Sequence, residues 1–241
     1  MSTVATLTMV RYTPARAALG AWHMAAQRPL LARVPGLRFA RLLGTGQGIG
    51  FSAVPDFRTW ALFAVWEDVS AWERFAAESR VMRQYHARGE EVYSLLLAPL
   101  AAHGSWGGVE PFPLPARPER PDPDAPIVVL TRATIRPARA LRFWSRVAPV
   151  DATLRGHPDL LLSFGVGEVP YLKQATVSVW RSAAAMRAWA ATPAHAETVR
   201  LTRAENWYSE ELFARFRLLA TRGTWRGGNP LDSHRGTEAQ R

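Results

Sequence analysis

The hydrophobic pattern changes period several times along the chain, and each change marks an element. Ile127–Ile135 (IVVLTRATI) is rich in β-branched residues and reads as a strand. A helix follows, opened by Pro137 in its first turn, where a missing N–H costs nothing. Leu160–Gly167 reads as a second strand, and Gln174–Trp180 (QATVSVW) alternates as a third. Ser182–Trp207 keeps a helical period that Pro193 must kink or restart. Glu211–Leu219 (ELFARFRLL) is a last strand. The order β-α-β-β-α-β predicts a ferredoxin-like unit.

The unit occurs twice. Val10–Trp22 (VRYTPARAALGAW) matches Ala133–Trp144 (ATIRPARALRFW), with Pro14 and Pro137 separated by 123 residues. Val34–Gly36 (VPG) matches His157–Asp159 (HPD) at the same separation. Phe63–Trp66 (FAVW) matches Val177–Trp180 (VSVW) at 114, so the second unit is nine residues shorter between those points. His103–Gly108 (HGSWGG) matches Arg222–Gly228 (RGTWRGG). Four anchors in one order predict an α+β protein of tandem ferredoxin-like halves, packed sheet against sheet as a pseudo-dimeric α/β barrel. Both faces of each sheet are expected to be buried. The first half spans 1–110 and the second 127–228. The linker between them, 111–126, has seven prolines in sixteen residues and should be extended. Residues 229–241 are polar and expected to fray.

Composition narrows the chemistry. The 241 residues, 48% hydrophobic, suffice for a real core, and 10 Trp, 10 Phe and 5 Tyr exclude general disorder. Without cysteine there is no disulfide, zinc ribbon, iron–sulfur cluster or thiolate-ligated haem. The net charge is +10, and Lys173 is the single lysine among 30 basic residues. A GC-rich genome explains that bias; attraction to anionic lipid is the functional alternative. The arginines form no basic run, so no nucleic-acid partner is expected. The N-terminus lacks a secretory pattern, and the longest apolar stretch, Tyr93–Ala102, is too short to span a bilayer. A cytoplasmic protein is expected, with peripheral contact at the inner membrane and a higher oligomer both compatible.

Familiar site motifs are missing. Gly44–Gly50 (GTGQGIG) fits neither dinucleotide nor Walker spacing and reads as the loop between the second and third strands. No two histidines lie at metal-ligand spacing, and GxSxG is absent. Haem needs only one histidine and an apolar slot. His195, after Pro193, has Ala188, Ala191, Thr192, Val199 and Thr202 at helical spacing, small enough to leave room for a flat ring. Its counterpart in the first half is Val81. A satisfied core histidine and a ligand both remain open on spacing alone. Gln174, Thr176 and Ser178 share one face of their strand, as do Arg215 and Arg217 of theirs.

Phe164–Trp180 (FGVGEVPYLKQATVSVW), His195, Glu205–Leu219 (ENWYSEELFARFRLL) and Gly223–Trp225 (GTW) together resemble the spheroidene monooxygenase family, carotenoid-oxidising enzymes of phototrophic bacteria. The resemblance runs from about residue 8 to 228 and is strongest in the second half. It implies haem b, dioxygen, an external electron-donor protein and a small apolar substrate such as an acyclic carotenoid. It also implies the dimeric α/β barrel superfamily, which includes chlorite dismutases, dye-decolourising peroxidases and aldoxime dehydratases. Haem in that group sits in the second half on a helix histidine. His195 matches that placement as axial ligand, with Ala191 and Val199 beside the ring. No distal residue is fixed by the resemblance; Gln174, Ser178 and Arg217 are candidates on strand parity alone. The competing readings are a haem enzyme of another class, acting on an aldoxime-like or peroxide substrate, and a barrel that binds a small apolar ligand without catalysis.

Overall fold

The computed structural model describes residues 2–114 and 122–232. The first half contains β1 (Val4–Arg11), α1 (Ala17–Ala26), α2 (Arg28–Leu31), β2 (Leu37–Gly46), β3 (Pro55–Trp66), α3 (Val69–Glu78), α4 (Arg80–Arg88) and β4 (Glu91–Gly104). The second contains β5 (Ile127–Ile135), α5 (Ala140–Leu154), β6 (Leu160–Val169), β7 (Lys173–Trp180), α6 (Ala183–Ala190), α7 (Pro193–Ala204) and β8 (Tyr208–Gly223). The repeat is visible in detail: Pro14–Arg16 and Pro137–Arg139 form the same 3-10 turn ahead of α1 and α5. Pro193 restarts the helical stretch, opening α7 after α6 ends at Ala190, and the last strand is longer than its apolar core. Among the described residues no helix is long and apolar enough to cross a membrane.

The strands follow one another as β1-β3-β2-β6-β7-β5-β8-β4, all antiparallel, and β4 returns to β1 to close a barrel. Each half is thus a ferredoxin-like sheet, and the sheets face each other. An eight-stranded barrel is just wide enough for its own side chains to fill. Leu7, Phe63, Leu95, Leu130, Val177 and Phe216 do so, each almost fully buried. Among the described residues the interior is packed as a core.

Two segments outside the strands help to fill it. Phe112, in the proline-rich linker, stands edge-on to Phe63 and Phe216 at 6.1 and 5.1 Å. Leu231 is buried in the same core. The expected fraying therefore fails for residues 229–232: Asn229 accepts from the Tyr93 hydroxyl and donates to Thr221, holding the segment against β4 and β8. One apolar residue in a polar run was enough to anchor it. The rest of the linker and of the tail, 115–121 and 233–241, lies outside the described residues.

The halves join along two unequal seams. β4 and β8 pair from Tyr93–Gly223 to Gly104–Leu212. β2 and β6 pair only through Gly44–Gly167 and Thr45–Val166. A buried ion cluster supports the short seam. Arg132, 1% exposed inside the barrel, pairs with Glu168 and Glu210. Arg41 of β2 reaches Glu168 at 3.2 Å, and the Trp106 indole donates to the same carboxylate at 2.8 Å. Burial pushes the Glu210 carboxyl up, but the Gly108 amide, Arg132 and Ser105 more than offset it and hold the pKa down at about 2. First-half and second-half residues are therefore tied through one neutral group of four charges.

Two outcomes follow from this packing. Replacing Arg132 with Met should cost about 3 kcal/mol or more in urea unfolding, because two partly buried carboxylates lose their shared cation. Lowering the pH should shrink that deficit as the carboxylates take up protons. The second concerns His23, buried between Tyr12 (2.7 Å) and Arg88 (3.1 Å). Burial and the Arg88 charge lower its pKa below 6.5, so the folded state holds it neutral while the unfolded chain protonates. Its contribution to stability is complete above about 6.5 and is lost as pH falls toward the folded-state value. His23→Leu should flatten that slope in unfolding measured between pH 7 and 5.

Candidate active site

With the barrel interior filled, what distinguishes the halves is the cover on the outer faces of the sheets, beneath the helices. The two halves differ there. In the first, Thr6, Thr8 and Ser94 are fully covered: Thr8 and Ser94 share a hydrogen bond of 2.9 Å, and Thr6 accepts from the Trp66 indole. Trp72 and Phe75 of α3 and Val81, Met82 and Tyr85 of α4 seal the sheet in one continuous apolar layer. In the second half that layer is split. Trp180, Ala183 and Ile127 form one cluster with Met186 and Trp189. Phe143, Leu201, Trp207 and Ile135 form another with Trp144 and Tyr208. The expectation that both sheets are buried on both faces thus holds for the first half only. Between the clusters Thr131, Thr176 and Ser178 are half-buried, and Phe213 is 39% exposed.

Strand register sets the rows of this open face. Arg217, Ile127 and Trp180 lie abreast; then Arg215, Val129, Ser178 and Ser163; then Phe213, Thr131, Thr176 and Gly165; then Glu211, Ala133, Gln174 and Gly167. Parity alone had grouped Gln174, Thr176 and Ser178, and the structure places them together. Gln174 is buried and its amide donates to the Val169 carbonyl at 3.1 Å. Ser178 accepts from the Trp180 indole at 3.0 Å, so its own hydroxyl proton remains to be donated. Arg215 and Arg217 are exposed on the β8 edge. The Gly44–Gly50 segment is only partly a loop, since Gly44–Gly46 belong to β2. Its remainder crosses to the other half, where Ser163 donates to the Ile49 carbonyl and Gly50 lies against Gly165, an approach that a side chain on Gly165 would prevent.

His195 stands on α7 between the two apolar clusters. Its ring lies 4.4 Å from Trp189, which lies 5.2 Å from Trp180 on the sheet. Nδ1 is 2.9 Å from the Ala190 carbonyl. A carbonyl only accepts, so Nδ1 carries the proton in the neutral ring and Nε2 presents a lone pair. That is the state in which imidazole binds a metal, with its second nitrogen oriented by a carbonyl. The N-caps Ser79 and Thr192 align α4 with α7, which gives His195 the place of Met82, one residue from the expected Val81. Met82, like Val81, is sealed in the first half's core.

The helical grouping around His195 needs correction. α6 ends at Ala190 and α7 begins at Pro193, so Ala188 and Ala191 are not on the histidine's helix. Ala191 is exposed in the turn between them. Val199 lies one turn beyond His195 and is half-buried. Thr192 is half-buried, and its covered hydroxyl is unpartnered among the described residues, although an N-cap side chain would ordinarily accept from the helix. Trp189 and the Ala190 carbonyl were invisible to spacing, because a break in the helix brings them onto the ring. Among the described residues no three His, Asp or Glu side chains gather as a metal site. The donor set therefore suits a group that takes one neutral imidazole from the protein.

Thr8 and Thr131, 123 residues apart, test the asymmetry directly. Thr8→Val should cost about 1–2 kcal/mol in chemical unfolding, because Ser94 is left buried without its partner. Thr131→Val on the open face should change stability by less than about 0.5 kcal/mol.

No family model matches the chain. Among solved structures an aldoxime dehydratase aligns over 90% of this chain and 81% of its own, with a TM-score of 0.57 at 13% identity, a likeness of fold alone. Spheroidene monooxygenase of Rubrivivax gelatinosus is 39% identical over 194 residues, spanning 80% of this chain and 73% of that protein. Spheroidene monooxygenase of Rhodobacter capsulatus is 42% identical over 201 residues, 83% of either chain. Identity at that level over four-fifths of the chain makes it a member of the spheroidene monooxygenase family.

Proposed function

We propose that the protein is a haem-dependent oxygenase that places one oxygen atom from O2 into an apolar, acyclic carotenoid. Two electrons from an external donor protein and two protons accompany the step, and the second oxygen atom leaves as water. The observation that carries the reading is His195: an imidazole whose Nδ1 is oriented by the Ala190 carbonyl, beside an open sheet face, in the half where the helix–sheet layer is split. Family membership supplies the reaction class.

The chemistry that haem supplies when bound is one-electron redox and activation of dioxygen. The residues present fit it. His195 Nε2 would bind the iron, and the Ala190 carbonyl raises the basicity of that nitrogen by accepting from the other. Arg215 and Arg217 offer positive charge at the edge of the slot for two carboxylate groups. Ser178 can donate its hydroxyl proton across the slot, and Gln174 lies one row beyond Thr176 on the same strand. The apolar clusters on either side exclude water, which favours an apolar substrate and protects a reactive centre. A net charge of +10 is compatible with peripheral contact at an anionic membrane, where such a substrate resides.

The test is haem titration followed by the Soret band. His195→Ala should lose most bound haem, or shift its spectrum, with far-UV dichroism unchanged, and should abolish turnover. Alanine at His86, His103 or His157 should leave the Soret band as it is. An unchanged band in His195→Ala, or its loss in one of the other three, moves the site elsewhere. Turnover that needs neither reductant nor O2 would point to dehydration or peroxide chemistry instead.

A further inference from the structure

A groove of about 920 Å³ runs along β2 from its helix side to the interior residues Phe39 and Arg132 and crosses the short β2–β6 seam. Its first-half stretch is walled by Met24, Leu31, Leu42, Phe57 and Trp60, and it ends at Lys173 and Gln174 of β7. β2 is ten residues long, which makes the groove roughly 30 Å end to end at the rise of a strand. Its lining also carries charge: Arg41, Arg132 and Glu168 are paired with one another, Asp56 accepts from the Arg58 amide and the Thr59 hydroxyl, Arg28 and Arg38 are exposed, and Lys173 is half-buried. A compact polar ligand would leave most of the apolar wall wet.

The floor at the seam is bare. Gly44 faces Gly167, and neither carries a side chain over the backbone. Gly167 is glycine for a folding reason, since a Cβ there would meet the Lys173 carbonyl at 2.8 Å. Gly44 has no such reason. A Cβ would make only ordinary contacts with Trp60 at 3.7 Å and the Gly167 carbonyl at 3.8 Å, and its φ is not positive. A strand interior otherwise favours a side chain there. Phe57 and Tyr171 stand at the groove 66% and 50% exposed. Tyr171 is held at φ 65, a conformation costly for a tyrosine, while the Trp144 indole donates to its carbonyl at 3.1 Å. Large aromatics left in water beside an apolar groove mark a surface that meets an apolar ligand.

We propose that this groove is the channel in which an extended unsaturated hydrocarbon lies, its end delivered past Gln174 toward the face below His195, and that Gly44 sets the channel's width. The inference rests on the reading of the protein as a carotenoid oxygenase but concerns a different set of residues. Gln174 is the joint between the two regions: it lines the groove, and Thr176 on the same face is two residues along β7.

The experiment measures binding of spheroidene, dispersed in detergent micelles, to the haem-loaded protein and its variants. The readouts are the polyene absorption shift and tryptophan quenching, to which Trp60 should contribute. Gly44→Ala should bind within about twofold of the parent, and Gly44→Phe should lose about tenfold or more in affinity. Soret band and melting temperature should be unchanged in both. Phe57→Ala, at an exposed position that cannot threaten folding, should lose affinity several-fold. His195→Ala should lose haem yet keep polyene binding. Unchanged affinity in a folded Gly44→Phe overturns the proposal; should that variant fail to fold, unchanged affinity in Phe57→Ala does so. Polyene binding lost in His195→Ala but kept in Gly44→Phe also overturns it, by confining the ligand to the slot. Gly44-sensitive polyene binding by a protein that takes up no haem would remove the haem reading and leave the groove standing.

Discussion

A barrel made from two four-stranded sheets needs both of its seams, and β2–β6 contributes only two residue pairs to one of them. Backbone pairing that short cannot hold two twisted sheets in register. The deficit is met from inside, where Arg132 sits almost without solvent between Glu168 and Glu210 while Arg41 and Trp106 reach in from the other half. A buried cation is costly unless fully paired, so the cluster specifies one closed arrangement more than it adds net stability. The side-chain groups around Glu210 come from both halves, and together with the Gly108 amide they hold its pKa far below the ordinary carboxylate value. Closing the barrel in this way fills its interior and leaves function to the outer faces.

Duplication explains why only one outer face is open. The two halves share turns, strand order and the glycines that end β4 and β8, Gly104 and Gly223, both at positive φ beside a partner carbonyl. They part company in the helices. Where the first half presents Trp72, Met82 and Tyr85 to its sheet, the second presents Met186, His195 and Thr198 in the aligned places. Smaller side chains at those positions leave the second half's sheet face less covered. A single-copy fold would lose its only helix–sheet layer by such exchanges, at several kcal/mol for each large side chain. Here the first half's sealed layer and the shared barrel core keep the molecule folded, and the second half is free to be open.

Much of this was legible in the residues. The repeat identified the halves, period-two alternation put Gln174, Thr176 and Ser178 on one face, and Pro193 marked the restart that leads to His195. The resemblance carried by Phe164–Trp180 and Glu205–Leu219 gave the family, which the relatives bear out. What escaped notice depends on geometry across long separations. Ala191 looked like a helical neighbour of His195 because spacing cannot show that α6 stops at Ala190. Met82 was missed as the counterpart by one residue, since only the caps at Ser79 and Thr192 reveal the slip. Leu231 was lost among polar residues, although a lone leucine near a barrel end has one place to go. Arg132 did leave a signal: it shares the inward parity of Val128 and Leu130, and a charge there requires partners.

The short seam and the open face are connected. Strands that paired along their full length would need side chains on both sides of the seam, and those would fill the space beside Gln174. Glycines at Gly44, Gly165 and Gly167 remove them instead. At Gly165 the gap admits the Ile49–Gly50 backbone from the opposite half, and at Gly44 only the Trp60 ring and the Gly167 carbonyl come near. The same absence of side chains at the seam keeps the groove open from the first half's apolar wall to Gln174. The Arg132 cluster is what makes that loss tolerable, because it moves the attachment of the two halves from the outer surface to the interior. Closure from within and access from without are two consequences of one arrangement at β2 and β6.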